Sequence, residues 1–156
     1  MRETVSVVPA EEAHLSVLAR LEKLCFSSPW SEQALREGLH EPSTVFFTAL
    51  LGNEPAGYLG MQAPADEGYI TNVAVFPEYR RRGAARALLR RAARYAEEKG
   101  LRFISLEVRR SNFAAIRLYE SEGYRPVGER RNFYSFPTEN ALIMTKFIPE
   151  ERGDTL

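Results

Sequence analysis

One amphipathic helix, together with the strand before it, constrains the fold of this chain most strongly. From Ala84 to Lys99 the apolar side chains recur on a single stripe, and Gly100 follows where a helix end favours glycine. The residues of Tyr69–Val75 are mostly β-formers, and a turn that contains Gly83 joins this strand to the helix. A strand that runs through a short turn into a long helix is typical of an α/β domain.

The other segments extend this pattern along the chain. Three β-rich runs separated by short polar turns predict an antiparallel meander, and strands alternate with helices on both sides of it. We expect a single mixed, mostly antiparallel sheet of about seven strands flanked by four helices, in the order β-α-α-β-β-β-α-β-α-β-β. The predicted strands are Thr4–Val8, Val45–Leu51, Gly57–Ala63, Tyr69–Val75, Phe103–Val108, Arg130–Ser135 and Ala141–Phe147, and the predicted helices are Leu15–Leu24, Ser31–Leu39, Ala84–Lys99 and Phe113–Ser121.

Length and composition indicate one ordinary globular domain. The 156 residues contain no repeat, no low-complexity stretch and no linker, so we expect one domain over residues 1–148 and a short polar tail at 149–156. The longest apolar run, Val45–Leu51, is too short to cross a bilayer. The single cysteine and two histidines provide neither a disulfide nor a zinc site. These features predict a cytoplasmic protein with no metal and no membrane partner.

The turn before the strongest helix has the features of an anion site. The first N–H groups of a helix lack partners, and the helix dipole favours negative charge there. Gly83, Ala84 and Ala85 have no bulky side chains to keep phosphate oxygens away. Nine Lys and Arg against three Glu lie between Glu78 and Arg102, in a chain whose 21 basic and 21 acidic residues cancel. The turn fits a pyrophosphate, although it matches neither a Walker loop nor a dinucleotide fingerprint.

Two other interpretations of this basic helix remain open. Its small residues can simply allow the helix to pack against the sheet, with the arginines in solvent. Arg86, Arg90 and Arg94 share one helix face and could bind nucleic acid, but no stacking aromatics are interleaved with them. We therefore expect no direct nucleic-acid binding and keep a nucleic-acid-binding module as an alternative.

Two polar residues near the second half of the chain are candidates for proton transfer. Alternation in Phe103–Val108 directs the aliphatic side chains to the core and Glu107 to the opposite face. Glu107 could accept a proton there, or simply pair in solvent with a neighbouring arginine, Arg109 or Arg110. Tyr119 follows Asn112 by seven residues, about two helical turns, so both can share one face, although Tyr119 could also serve only in packing.

Several of these motifs resemble those of one family, the GCN5-related N-acetyltransferases (GNAT). Arg80-Arg81-Arg82-Gly83-Ala84-Ala85 is similar to its Gln/Arg-x-x-Gly-x-Gly/Ala signature, and the element order agrees along nearly the whole chain. The block Leu106–Tyr124 resembles the narrower RimI-type group, the ribosomal-protein-alanine N-acetyltransferases, and so do Phe26–Ser31 and Arg130–Tyr134. One departure is Asn140, where the group usually has Asp. The resemblance implies the GNAT fold and a single N-acetyltransferase domain.

The resemblance also implies acetyl-CoA as cosubstrate, bound where the fourth and fifth strands separate. Its pyrophosphate would lie on the turn, backbone groups of the fourth strand would hold the pantetheine and thioester, and an asparagine side chain would also contact it. The residues implied for the cofactor are Val73, Ala74, Val75, Arg81, Arg82, Gly83, Ala84, Ala85, Arg86 and Asn112.

For the chemistry, the resemblance implies Glu107 as the base and Tyr119 as the acid, with Trp30 and Tyr134 lining the acceptor groove. An α-amine titrates near 8 and a lysine near 10.4, so freeing a lysine at neutral pH costs about 3 kcal/mol more. We expect transfer of acetyl to the N-terminal alanine of a small-subunit ribosomal protein. A lysine or small-amine acetyltransferase on the same fold, and a non-catalytic CoA-binding module, remain alternatives.

Overall fold

The computed structural model describes residues 4–149, and the order of their elements is the predicted one. The strands are β1 (Val5–Pro9), β2 (Thr44–Leu51), β3 (Glu54–Gln62), β4 (Glu67–Val75), β5 (Phe103–Arg109), β6 (Arg125–Tyr134) and β7 (Glu139–Phe147). The helices are α1 (Leu15–Cys25), α2 (Glu32–Leu39), α3 (Ala84–Lys99) and α4 (Phe113–Ser121), with single 3-10 turns at Glu12–His14 and Pro77–Tyr79.

The strands of the described residues form a seven-stranded sheet in the order β1-β2-β3-β4-β5-β7-β6. The pairs β1/β2, β2/β3, β5/β7 and β6/β7 are antiparallel. Strands β4 and β5 are parallel, with three residue pairs that run from Glu67–Phe103 to Tyr69–Ser105. The prediction of a mixed, mostly antiparallel sheet of seven strands with four helices is confirmed.

The chain divides into two compact units, the first of which contains residues 4–62 and 70–91. Its core is formed by leucines of α1 and α2 with aromatic and small residues of β2, β3 and β4: Leu15, Leu18, Leu21, Leu35, Phe46, Tyr58 and Ala74. Leucine every third residue gives α1 a continuous apolar face. The Ser31 hydroxyl caps α2 by accepting a hydrogen bond from the Ala34 N–H at 3.0 Å.

The second unit contains residues 63–69 and 92–149 of the described chain. In β5 the side chains of Ile104, Leu106 and Val108 are buried, whereas those between them are only partly buried. The predicted alternation is therefore confirmed, and Glu107 lies on the face away from this core. Helix α4 ends before Gly123, whose φ of +95° favours glycine.

The structure differs from the sequence prediction mainly at β6. This strand begins at Arg125, five residues before the predicted start at Arg130, and includes Pro126 and Gly128. Strand β6 lies at the edge of the sheet, where a proline without an N–H group is tolerated. The single domain over residues 1–148 stays a prediction, and the predicted tail lies outside the described residues except for Pro149. No helix between residues 4 and 149 is both long and apolar enough to cross a membrane.

Candidate active site

The turn between β4 and α3 exposes the start of the helix. Arg81 and Gly83 both have positive φ, +64° and +86°, and the first intrahelical bond of α3 runs from the Ala87 N–H to the Gly83 carbonyl at 3.0 Å. Apart from residues 82–84 themselves, no atom of residues 4–149 lies within 4 Å of the position that a Cβ of residue 83 would occupy. The backbone conformation, rather than crowding, therefore favours glycine, and the space at this position, just before α3, is open.

The arginines of this turn differ in their surroundings. Arg80 donates from Nε to the Val75 carbonyl at 3.2 Å and from Nη2 to the Cys25 sulfur at 3.8 Å. It therefore supports the end of β4. Arg81 and Arg82 are exposed beside the start of α3, where they add positive charge to that of the helix dipole. The turn has the geometry and charge of a site for a phosphate-containing ligand.

The end of β4 approaches β3 very closely. A Cβ at position 57 would lie 2.5 Å from the Ala74 carbonyl oxygen, so only glycine fits there. Ala74 is buried, while Val73 and Val75 are partly buried. The main chain at residues 73–75 is thus held at a fixed position next to β3.

Trp30 lies at the end of the loop between α1 and α2. Its ring packs edge-on against Phe46, with centroids 6.1 Å apart, and Phe46 packs in the same way against Tyr58. Trp30 also lines a hollow of about 680 Å³ together with Pro29, Ser31, Ala34, Glu37, Gly38, Glu41, Thr44 and Gln62. The structure therefore places the predicted groove residue beside an open surface of the first unit.

Sequence reasoning missed Glu22, which is completely buried on α1. Its carboxylate accepts hydrogen bonds from the Trp30 N–H and the Asn72 side-chain amide, both at 2.8 Å, and from the Tyr58 hydroxyl. A signal was present in the sequence, because Glu22 follows Leu15 by seven residues and Leu18 by four, within the apolar stripe of α1. A carboxylate on such a stripe needs several donors to remain there.

In the second unit, Glu107 forms an ion pair with Arg130. The distance from Arg130 Nε to Glu107 Oε2 is 2.8 Å, and the Glu107 side chain is 30% exposed. The two arginines that the sequence offered as alternative partners pair elsewhere, Arg109 with Glu139 and Arg110 with Glu129. The carboxylate is thus accessible to solvent on one side and held by a cation on the other.

Tyr119 and Tyr134 lie in the same unit. Burial raises the pKa of Tyr119 to about 12, and the Tyr134 hydroxyl adds to this shift. The pKa of Tyr134 is also raised, by burial first and then by Glu107, with Arg109 acting in the opposite direction. Tyr134 therefore interacts electrostatically with both residues proposed for proton transfer, Glu107 and Tyr119.

Arg109 fixes the hairpin that contains Tyr134. Its guanidinium lies over the Tyr134 ring, 4.5 Å from the centroid, and donates to the backbone carbonyls of Ser135 and Pro137 at 3.2 and 3.0 Å. It also forms an ion pair with Glu139 at 3.2 Å. The turn between β6 and β7 is therefore attached to the end of β5 through one side chain.

Asn112 is the N-cap of α4. Its side-chain oxygen accepts a hydrogen bond from the Ala115 N–H at 3.2 Å. The side chain is exposed, as a ligand contact would require. Within residues 4–149, no group of three or more His, Cys, Asp or Glu is placed to hold a metal ion.

The chain matches a known protein family and several named relatives. Residues 15–124 match the family model described as the Acetyltransferase (GNAT) family. A Bacillus subtilis protein named putative [ribosomal protein bS18]-alanine N-acetyltransferase is 38% identical over 131 residues, which are 83% of this chain and 87% of that protein. A Mycobacterium tuberculosis protein named N-alpha-acetyltransferase RimI is 31% identical over 150 residues, 92% of this chain and 93% of that protein.

A solved structure resembles the chain over almost its full length. The crystal structure of the ribosomal-protein-S18-alanine N-acetyltransferase from Escherichia coli superposes with a TM-score of 0.86 at 32% sequence identity. The superposition covers 98% of this chain and 99% of that one. The similarity therefore extends over both units and all of the elements described above.

Proposed function

Because this chain belongs to the GNAT family of acetyltransferases, we propose that it transfers acetyl from acetyl-CoA to the N-terminal alanine of a small-subunit ribosomal protein. It is an N-acetyltransferase, as its relatives are. The observation that supports the acceptor best is the extent of the similarity, 36% identity over 91% of the Escherichia coli (strain K12) protein named [ribosomal protein bS18]-alanine N-acetyltransferase. We expect the reaction to take place in the cytoplasm, where ribosomal proteins are made.

The residues of the β4–α3 turn fit the diphosphate of coenzyme A. The open space at Gly83 gives phosphate oxygens access to the first N–H groups of α3, and Arg81, Arg82 and Arg86 would add positive charge. The main chain of Val73, Ala74 and Val75 would hold the pantetheine, and small residues Ala84 and Ala85 would allow close approach. The Asn112 amide nitrogen would add a contact from α4. When bound, acetyl-CoA supplies a thioester carbon that is open to attack by an amine.

Glu107 is the group that we propose as the base. The acceptor reaches the site as an ammonium, so a carboxylate must take one proton before the amine nitrogen can bond to the acyl carbon. Arg130 donates a hydrogen bond from Nε to Glu107 Oε2 and fixes the position of that oxygen. An α-amine requires about 3 kcal/mol less for this deprotonation than a lysine at neutral pH, which suits a single, partly exposed carboxylate.

Tyr119 is proposed to act on the sulfur as the carbon–sulfur bond breaks. With its pKa raised to about 12, its hydroxyl stays protonated at neutral pH. Full proton transfer to a thiolate of ordinary pKa would then be uphill by about 5 kcal/mol. We therefore assign Tyr119 the role of a hydrogen-bond donor to the leaving sulfur. The thiolate then takes its proton from solvent after departure.

Two aromatic residues, one in each unit, are proposed to contact the acceptor peptide. Trp30 presents its ring to an open hollow in the first unit, and Tyr134 is held by Arg109 in the second. Both rings are partly exposed and can contact a short peptide without large rearrangement.

The test is to incubate the purified protein with acetyl-CoA and a mixture of amines. The mixture contains peptides that begin with alanine, peptides with a blocked N-terminus and a free lysine, and polyamines. Tandem mass spectrometry then locates the added acetyl group. We expect it on the N-terminal alanine. Acetylation only of lysine or polyamine would overturn the proposed acceptor, and binding of CoA without turnover on any amine would favour the non-catalytic alternative.

A further inference from the structure

Glu22 is a buried carboxylate that the proposed chemistry does not use. Its side chain is completely excluded from solvent, on an α1 face that otherwise presents leucines to the core. Burial of a charged group among apolar side chains is costly unless its oxygens are hydrogen-bonded. Three neutral donors meet these oxygens: the Trp30 N–H on Oε1, and the Asn72 amide and Tyr58 hydroxyl on Oε2.

The donors come from three separate segments of the first unit. Trp30 ends the α1–α2 loop (residues 26–30), Tyr58 lies on β3 and Asn72 lies on β4. Asn72 directly precedes residues 73–75, whose main chain is proposed to hold the thioester. One carboxylate therefore connects the loop proposed to contact the acceptor with the strand proposed to contact the cofactor.

Glu22 also binds both ends of the α1–α2 loop. Its backbone carbonyl accepts from the Phe26 N–H at 3.0 Å, and its side chain accepts from the Trp30 N–H at 2.8 Å. Between these two bonds, Ser27, Ser28 and Pro29 are exposed and belong to no helix or strand. The position of the Trp30 backbone thus depends on Glu22 on one side and on the start of α2 on the other.

We propose that Glu22 is a positioning residue that fixes the α1–α2 loop against β4 and thereby sets the affinity for the acceptor peptide. This inference rests on the proposed function, because it assumes that Trp30 contacts the acceptor. A purely structural role would lower stability without a separate effect on the acceptor. The proposed role predicts that a substitution of Glu22 weakens binding of the acceptor more than binding of acetyl-CoA.

The substitution Glu22→Gln separates these possibilities with little change in volume. The new side chain has one oxygen and one NH2 group in place of two oxygens. If its oxygen faces the Trp30 N–H, the NH2 group meets the Asn72 amide donor. If it is turned the other way, the NH2 group meets the Trp30 N–H, which can only donate. The first orientation keeps the bond to Asn72 only if the Asn72 amide also turns, so the cluster must rearrange in either case.

Tyr58→Phe is the matched control. It removes a donor from the same buried cluster but leaves the carboxylate, the Trp30 N–H bond and the Asn72 bond in place. Both variants are expected to unfold at lower denaturant concentration than the wild type. We expect the acceptor KM of Glu22→Gln to rise about tenfold, with the acetyl-CoA KM within about twofold. Tyr58→Phe should leave both constants within about twofold of the wild type.

Fluorescence gives a readout that does not depend on turnover. Trp30 is the single tryptophan of the chain, so its emission and its quenching by acrylamide report only on this loop. In Glu22→Gln we expect red-shifted emission and stronger quenching in the folded protein, with wild-type behaviour in Tyr58→Phe. Should Glu22→Gln fail to fold, Glu22→Asp replaces it, because the shorter side chain cannot reach all three donors.

Each result has a defined meaning. Equal effects of Glu22→Gln and Tyr58→Phe on the acceptor KM and on Trp30 quenching would overturn the inference. They would show that Glu22 has only a structural role in the core. If the wild type acetylates no peptide, the proposed function fails instead. The quenching comparison then still decides whether Glu22 fixes the loop.

Discussion

Arg130 on β6 reaches Glu107 on β5 across the intervening strand β7, with 2.8 Å between Nε and Oε2. In the sheet, Arg130 pairs with Ala141, which in turn pairs with Arg109, so the row of Arg130 meets β5 two residues beyond Glu107. Both side chains are partly exposed, and the pair contributes at most about 1 kcal/mol to folding. Its importance is instead that it orients the carboxylate proposed as the base.

The first prediction concerns this carboxylate. Glu107→Gln keeps the shape of the side chain but cannot accept the ammonium proton, so kcat should fall about 100-fold while CoA binding measured by calorimetry is unchanged. The control is Glu129→Gln, which removes the partner of Arg110 from a similar exposed pair. An equal loss of kcat in both variants would contradict the assignment of Glu107.

Gly83→Ala tests the anion site. Its φ of +86° makes a side chain unfavourable by about 1 kcal/mol, and the added methyl group would occupy the space proposed for phosphate. We expect the Kd for CoA to rise about tenfold. Gly100→Ala is the control, because Gly100 also has a positive φ, +70°, and open space around its Cβ position, but lies at the other end of α3. Gly100→Ala should lower the free energy of unfolding by a similar amount and leave the Kd for CoA unchanged.

The raised pKa of Tyr119 predicts that the free energy of unfolding falls at alkaline pH. Its pKa is about 12 in the folded protein, above the ordinary value of 10, so the unfolded chain releases this proton first. The part of the free energy of unfolding that comes from this pKa difference is fully present below pH 10 and is lost as the pH rises toward 12. In urea titrations between pH 8 and pH 11, the free energy of unfolding of Tyr119→Phe should fall by about 1.4 kcal/mol less than that of the wild type. An equal loss in both proteins would show that the phenol is not shielded as described.

Arg109→Lys tests the attachment of the β6–β7 turn. A lysine ammonium cannot reproduce the planar contact with the Tyr134 ring together with bonds to two backbone carbonyls. We expect the acceptor KM to rise about fivefold, with little change in the acetyl-CoA KM. Arg110→Lys is the comparison, since Arg110 has one exposed carboxylate partner, Glu129, and should behave as wild type.

Features that depend on neighbouring residues in the chain were predictable from sequence. The bounds of α3 and α4 follow from apolar periodicity and from the glycines behind each helix, and alternation along β5 predicted the face of Glu107. The roles of these residues in catalysis stay predictions.

Contacts that depend on long-range packing were not predictable. Glu107 pairs with Arg130 rather than with the adjacent arginines because the sheet order brings β6 within reach. Glu22 was overlooked because two of its three donors, Tyr58 and Asn72, lie 36 and 50 residues away. The apolar stripe of α1 could have indicated that Glu22 is buried, but no local pattern identifies the partners of Glu22 or of Glu107.

The outer strand β6 carries Arg130 and Tyr134, and its edge position has one further effect. An unpaired strand edge can recruit a strand from another molecule and start aggregation. Here Pro126 removes an N–H donor, register shifts interrupt the ladder on both sides of residues 128–130, and charged side chains cover the strand. The same segment that would meet the incoming peptide is therefore protected against growth of the sheet by addition of foreign strands.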